Sequence, residues 1–277
     1  MFQKTPSYRI IRPVGLILLL LFAAFPVFFL FMSAFKTPNE IFRFPPTFVF
    51  RPTLENFGKV FTDWSLFMVG MKNSAIIAFG ASLLTILIAA PAGYALSRHQ
   101  NRFLDTSAFF MLAIRMYPPI VVTVPLYPVL AQIGLMDTHW ILVLLYCTFF
   151  VSLSTWLMKT YMDEVPVELE EAASIDGASA FQRVTKIIIP LSAHGLAATA
   201  IFVTIFAWKE YTFAYIFTGT RVQTTPIVLH QMLSPVTGVS FGPLFAAATM
   251  QLLPILVFIW LVQSYLVKGM KTGAVKG

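Results

Sequence analysis

The chain has 277 residues, 58% hydrophobic and only 11% charged, with a mean hydropathy of +0.79. That balance excludes an ordinary soluble domain and predicts a protein that crosses a membrane several times. The formal net charge of +7 comes from residues dispersed along the flanks of apolar runs, which makes them topology determinants and gives no reason to expect a nucleic-acid partner.

A first span is predicted over about Val14 to Phe35, after Lys4, Arg9 and Arg12. It is too long for a signal-peptide core, and Pro26 is placed to kink it. Lys36 to Lys72 is polar and aromatic, with Pro45-Pro46, Pro52 and Trp64, and should lie outside the bilayer. A second span runs from about Asn73 to Ser97, before Arg98, His99 and Arg102. A third runs from about Ala108 to Ala131 and carries Arg115 with Pro118, Pro119, Pro125 and Pro128. Prolines at that depth require neighbouring helices or cavity water to satisfy the freed carbonyls. An arginine facing lipid there would cost about 2.5–3.5 kcal/mol, so Arg115 should face protein or a water-filled path. An ion pair with Glu210 or with another subunit is the plainer expectation, and a place in a substrate pathway the sharper one. The fourth span covers about Trp140 to Met158 and contains the single cysteine, Cys147, which allows no internal disulfide and reads as packing.

Between the fourth and fifth spans lies a polar stretch, Val165–Leu191, with Asp163 and Glu164 just before it. Pro166 suits a first helical position, and Glu168, Glu170 and Glu171 complement the positive end of a helix dipole. Gly177 suits the left-handed position past a helix end, and Ser179 and Gln182 have capping-box spacing for a second helix. Phe181, Val184 and Ile188 fall on one side of that helix, and Pro190 discourages its continuation. With small Ala172 and Ala173 available for close approach, the pattern predicts a helix-corner-helix docking element. The fifth span, about Gly195 to Phe217, contains Trp208, Lys209, Glu210 and Tyr211; the sixth runs from about Leu244 to Val267, with Pro254 inside. With both termini on the same cytoplasmic side, Lys and Arg number eleven inside against six outside, with Arg115 and Lys209 in spans. The positive-inside rule favours that orientation, which places the polar loop in the cytoplasm as well.

Glu171, Ala172, Ala173, Asp176, Gly177 and Ala178, within EAASIDGASAFQRVTKIIIP, closely resemble the EAA loop of bacterial and archaeal ABC importer permeases. The DGA extension resembles the carbohydrate-importer branch, which includes maltose-type importers. KTPNEIF, FPPTF and PTLENF resemble that branch's first extracytoplasmic loop. WKEY (Trp208–Tyr211) resembles its WNEF motif, with Lys209 and Tyr211 as departures. The tail MKTGAVKG resembles a GLTxGAVKG ending, whereas His194 stands where the family often has proline.

The resemblance implies an all-α membrane protein with six transmembrane helices and the type I ABC importer permease (MetI-like) fold, in a bacterial or archaeal cell membrane. Its implied parts are an N-terminal region, 1–70, a core permease domain, 71–267, with the coupling loop at 165–191, and a cytoplasmic tail, 268–277. It implies ATPase coupling through Glu171, Ala172, Ala173, Asp176, Gly177 and Ala178, and ATPase docking by Gly273, Ala274, Val275, Lys276 and Gly277. Arg115, Trp208, Glu210 and Tyr211 become candidate substrate-path residues, since aromatics stack on sugar faces and a carboxylate accepts hydroxyl hydrogen bonds. Implied partners are a second homologous permease, two ATPase subunits, an extracytoplasmic solute-binding protein, the lipid bilayer and a sugar or polyol. ATP and Mg would belong to the ATPase, leaving this chain no cofactor, metal or catalytic site of its own.

The residues agree on that last point. No G-x-x-x-x-G-K-[ST] phosphate loop occurs, and the four histidines are far apart. Gly238–Gly242 matches G-x-S-x-G only formally, in an external loop without the strand-turn-helix setting. An importer of another solute class would share the EAA loop but not the DGA extension or the tail. A secondary transporter would leave the loop and tail without a purpose.

Overall fold

The structure, a computed structural model, describes residues 6–99, 101–234 and 238–273, with side chains over 11–99, 101–234 and 238–263. Among the described residues every regular element is helical. In chain order these are α1 (Pro6–Ala34), α2 (Pro38–Ile41), α3 (Glu55–Thr62), α4 (Leu66–Arg98), α5 (Arg102–Ile114), α6 (Pro119–Gln132) and α7 (His139–Asp163). Then come α8 (Val167–Ile175), α9 (Ala180–Arg183), a π-helical turn (Val184–Ile188), α10 (Ile189–Leu191), α11 (Ala193–Trp208), α12 (Thr212–Phe217), α13 (Thr225–Gln231) and α14 (Phe241–Gly273). Helices are the natural solution for so apolar a chain, because each satisfies its own backbone polar groups where no water can.

Four stretches, Ile11–Ala34, Leu66–Arg98, His139–Asp163 and Phe241–Gln263, are each long and apolar enough to cross a membrane; two bent pairs raise the number to six. The predicted third span is not one helix: α5 and α6 meet at 94°. A proline disfavours the helical region for the residue before it, and Pro118, preceding Pro119, is extended (φ −60°, ψ 132°) and starts α6 afresh. Pro125 and Pro128 remain inside α6. The predicted fifth span is also interrupted. It is helical as α11, stops at Trp208, and resumes as α12 after Lys209, Glu210 and Tyr211. Residues 180–191, assigned to the polar loop, form the first arm of that span's bent pair, at 74° to α11.

The chain divides into two compact units, Met1–Phe67 with Leu229–Leu253, and Met68–Val228 with Pro254–Gly277. In the first, residues 11–28 of α1 are exposed on all faces, as suits a helix whose surroundings are apolar. Asn56 Nδ2 donates to the Ala34 and Lys36 carbonyls, both at 2.8 Å, closing the end of α1. Lys36 is buried, its ammonium 5.4 Å from the Phe29 ring centre and 5.2 Å from that of Phe50.

The second unit is built around α7. Ile141, Leu142, Tyr146 and Phe150 are buried against Ile77, Ala78 and Ala81 of α4, Val203 and Trp208 of α11, and Phe213 and Phe217 of α12. Cys147 is buried and free, in keeping with packing. A smaller core closes the far end of α7, where Met158 and Met162 meet Ala89 and Ala90 of α4 and Val165 and Ile188 from the two ends of the polar loop. The loop is thus seated on the helices at both its ends.

Candidate coupling loop and pathway residues

The corner of the loop forms as its residues predict. Gly177 has φ +83°, Ala178 N–H bonds to the Ala173 carbonyl at 2.9 Å and Gly177 N–H to that of Ser174 at 3.1 Å. This is the Schellman ending of a helix, which needs a residue at ease with a left-handed backbone. Ser179 and Gln182 then cap α9 reciprocally: Ser179 N–H donates to Gln182 Oε1 (2.8 Å) and Gln182 N–H to Ser179 Oγ (3.3 Å). Arg183 Nη1 donates to Ser174 Oγ at 2.6 Å, tying the second arm to the first. Pro166 precedes α8 as its cap and does not occupy a first helical position.

Glu171, Ala172, Asp176 and Gly177 are exposed, and Ala173 and Ala178 half-buried. Two large apolar side chains flank the corner in the open, Ile175 at 87% and Phe181 at 76% exposure. An exposed apolar pair on a rigid corner, rimmed by carboxylates, is a surface made for contact.

Sequence reasoning missed what holds this corner in place. Glu170, read only as a dipole complement, is buried. Tyr94 Oη donates to its Oε2 at 2.7 Å, and Arg98 Nε donates to its Oε1. Arg98 also donates through Nη2 to the Val165 carbonyl (2.8 Å) and through Nη1 to Ser97 Oγ (2.9 Å). Ser97 Oγ in turn donates to Asp163 Oδ1 at 2.6 Å, and Lys159 Nζ pairs with Asp163 Oδ2 at 2.6 Å. Removing one partner of a buried pair costs about 3–5 kcal/mol, because the other charge is left uncompensated. The available signal was an arginine ending the second span and an acidic pair in the first turn of α8; their pairing across 72 residues was not readable.

Arg115 ends α5 at the break of the third span. The expected ion pair with Glu210 is not formed: among the described residues Arg115 belongs to no salt bridge. Its guanidinium lies 5.3 Å from the Phe149 ring centre and 5.6 Å from that of Phe202, a cation held by aromatic faces. Beside it is a cavity of about 260 Å3, lined by Arg115, Tyr117, Leu145, Phe149, Ser152 and Phe213. Glu210 accepts from the Phe213 and Ala214 N–H groups at 3.0 and 3.3 Å, which caps α12. Phe149, beside Arg115, and Phe213, whose N–H bonds to Glu210, form a ring pair 6.0 Å between centres. Trp208 is buried in the core, Lys209 lies 4.2 Å above the Phe206 ring, and Tyr211 stacks on Tyr215. The four candidate pathway residues therefore gather around one aromatic cluster. Arg115 lines its cavity directly.

A second missed feature is Asp137, in the turn between α6 and α7, with φ +56°, a conformation aspartate tolerates better than most residues. Its carboxylate accepts from the Gly219, Arg221 and Val222 N–H groups at 2.9–3.0 Å. Burial pushes this carboxyl up, but the three backbone donors and the nearby Arg221 charge outweigh it and hold it below the usual carboxylate range. Of the tail, Gly273 is the last residue of α14; Ala274, Val275, Lys276 and Gly277 lie outside the described residues.

Residues 84–272 match the family described as binding-protein-dependent transport system inner membrane component. Along its length the chain is 33% identical to the trehalose/maltose transport system permease protein MalG of Thermococcus litoralis, covering 97% of each. It is 33% identical to the trehalose transport system permease protein SugB of Mycobacterium tuberculosis, covering 92% of this chain and 93% of that one. With the sulfoquinovosyl glycerol transport system permease protein SmoH of Agrobacterium fabrum it shares 27% identity over 98% of this chain and 95% of that one. Its fold superposes, with a TM-score of 0.79 at 21% identity, on a chain in the crystal structure of a bacterial ABC transporter that imports the acidic polysaccharide alginate, covering 96% of this chain and 99% of that one.

Proposed function

The chain belongs to the family of binding-protein-dependent transport system inner membrane components, and from that premise we propose that it is one permease subunit of an ATP-driven importer of sugars or polyols. The sugar assignment follows relatives whose names specify trehalose, maltose and sulfoquinovosyl glycerol. The observation that carries the mechanism is the exposed, rigid corner at Gly177, presented on two short helices that are seated on the spans at both ends.

In this reading both termini and the loop lie in the cytoplasm. Glu171, Ala172, Ala173, Asp176, Gly177 and Ala178 dock on one of two ATPase subunits, and Ile175 and Phe181 supply the apolar contact. ATP-driven closure of the ATPases displaces the loop, and the spans rock so that the cavity opens outward; hydrolysis resets it. ATP and Mg are held by the ATPases, so this chain needs no cofactor. A second permease completes the path, and an external binding protein delivers the solute. Arg115, which lines the cavity beside α5 and α6, contributes to this chain's half of the path together with Glu210 and Tyr211 at the break between α11 and α12, and Trp208 is packing.

A mild-detergent pull-down of the tagged chain from native membranes tests this. Recovery of an ATPase pair and a second EAA-containing permease is expected, with a binding protein that retains sugars. Recovery of the chain alone, with uptake that needs no ATP, overturns the importer reading. The tail makes a narrower prediction: deleting Gly273 to Gly277 lowers ATPase co-purification several-fold and leaves membrane insertion intact. Unchanged co-purification would remove the tail from the docking surface.

A further inference from the structure

We propose that Arg98, Glu170 and Tyr94 are positioning residues for energy coupling: they clamp α8 to the end of α4, so that displacement of the loop carries α4 and α7 along as one body. This deepens the reading of the loop as an ATPase-docking element and rests on it. Adjacent residues of a helix point about 100° apart, so α8 carries two faces. Glu171 and Ile175 face the open, while Glu170 faces α4 and is buried.

The inward face is fixed in direction as well as in charge. Arg98 spends its planar fork on three acceptors, the Glu170 carboxylate, the Val165 carbonyl and Ser97 Oγ, and Tyr94 holds the second Glu170 oxygen. A fork bonded this way resists rotation and sliding, unlike an exposed ion pair that rearranges in water. Two further contacts extend the body to α7. Ser97 and Asp163 link the ends of α4 and α7. One turn deeper, a Cβ on Gly93 would lie 2.7 Å from Met158 Cβ and 2.9 Å from the Lys159 amide nitrogen, so the two backbones are already in direct contact. Force applied at the corner therefore has no compliant joint to dissipate in before it reaches two spans.

The test uses the complete importer in proteoliposomes with its binding protein, reading sugar imported per ATP hydrolysed and ATPase retained on purification. Glu170→Gln keeps the shape of the side chain and removes its charge. The expected result is retained ATPase with at least a ten-fold fall in sugar per ATP. Arg98→Lys, which keeps the charge and loses the fork, should lower the ratio as well. A ratio within two-fold of the parent in Glu170→Gln overturns the clamp.

The second measurement replaces the Ser97–Asp163 contact between α4 and α7 with a covalent link and leaves Arg98, Glu170 and Tyr94 in place. In a Cys147→Ala background, Ser97→Cys with Asp163→Cys is compared oxidised and reduced. Uptake within two-fold between the two states is expected if α4 and α7 move together; uptake abolished by oxidation and restored by reductant overturns the proposal. Should the parent complex hold no ATPase, the docking reading fails, and that result is distinct from a failed clamp.

Discussion

Arg98 and Arg115 both stand at the C-terminal ends of helices, α4 and α5, where a cation complements exposed carbonyls. Their surroundings differ completely. Arg98 meets a carboxylate, a carbonyl and a hydroxyl, and each arm of its fork is used. Arg115 meets two aromatic rings and a cavity, belongs to no ion pair among the described residues, and has a buried Nη1 with no hydrogen-bond partner. The first arrangement fixes helices to one another; the second keeps a cation beside open space. In the proposed function, stiffness falls where the chain would receive force, and unspent polarity where it would line a path.

That contrast predicts an ordering of effects. Arg98→Ala strands the buried Glu170 carboxylate and should cost about 3–5 kcal/mol, read as a fall in the thermal midpoint and yield of the purified complex. A midpoint unchanged by this substitution would mean that the pair is not buried in the assembled transporter.

Gly177→Val comes next. A β-branched residue at positive φ costs about 1–2 kcal/mol locally, and the corner it distorts is the proposed docking surface. Uptake and ATPase stimulation should fall together with the chain still inserted; normal values for both would argue against the coupling assignment.

Asp137 supplies a smaller effect with a pH signature. Its folded value lies below the ordinary one, so its contribution is fully present above about pH 4, the ordinary aspartate value, and is lost as pH falls through the lowered folded value. Asp137→Asn should cost about 1 kcal/mol near neutrality, and the gap between parent and variant should close on acidification. A gap that is constant with pH would show that the carboxylate charge is not what the three N–H groups recognise.

Arg115→Met should be the mildest for folding, within about 1 kcal/mol, since it loses only cation–ring attraction and keeps an apolar stem. If Arg115 lines the path, uptake falls several-fold at nearly unchanged complex yield. A large loss of yield with normal uptake per complex would make Arg115 structural and erase the contrast with Arg98.

The local chemistry of the loop was legible residue by residue. Gly177 as the left-handed corner and Ser179 with Gln182 as a capping box depend on neighbours within a few positions, and both form as expected. The lengths of the apolar runs likewise located the membrane-crossing stretches, because bilayer thickness is a one-dimensional constraint. The four prolines of the third span signalled irregularity, yet a 94° break and an interrupted fifth span are matters of which backbone groups find partners in space.

Choosing between Glu170 and Glu171 required tertiary structure. Both carboxylates suit a helix start, and only the position of α4 beside α8 makes one buried and the other exposed. The same holds for Arg115, whose partners are two rings brought from α7 and α11 in place of the expected Glu210. By itself the sequence determined a multi-spanning helical chain, the shape of its Gly177 corner and its family, all properties set by local spacing and composition. The tertiary structure decided which charges are committed to holding helices together and which stand beside a cavity, because that depends on contacts between residues far apart in the chain.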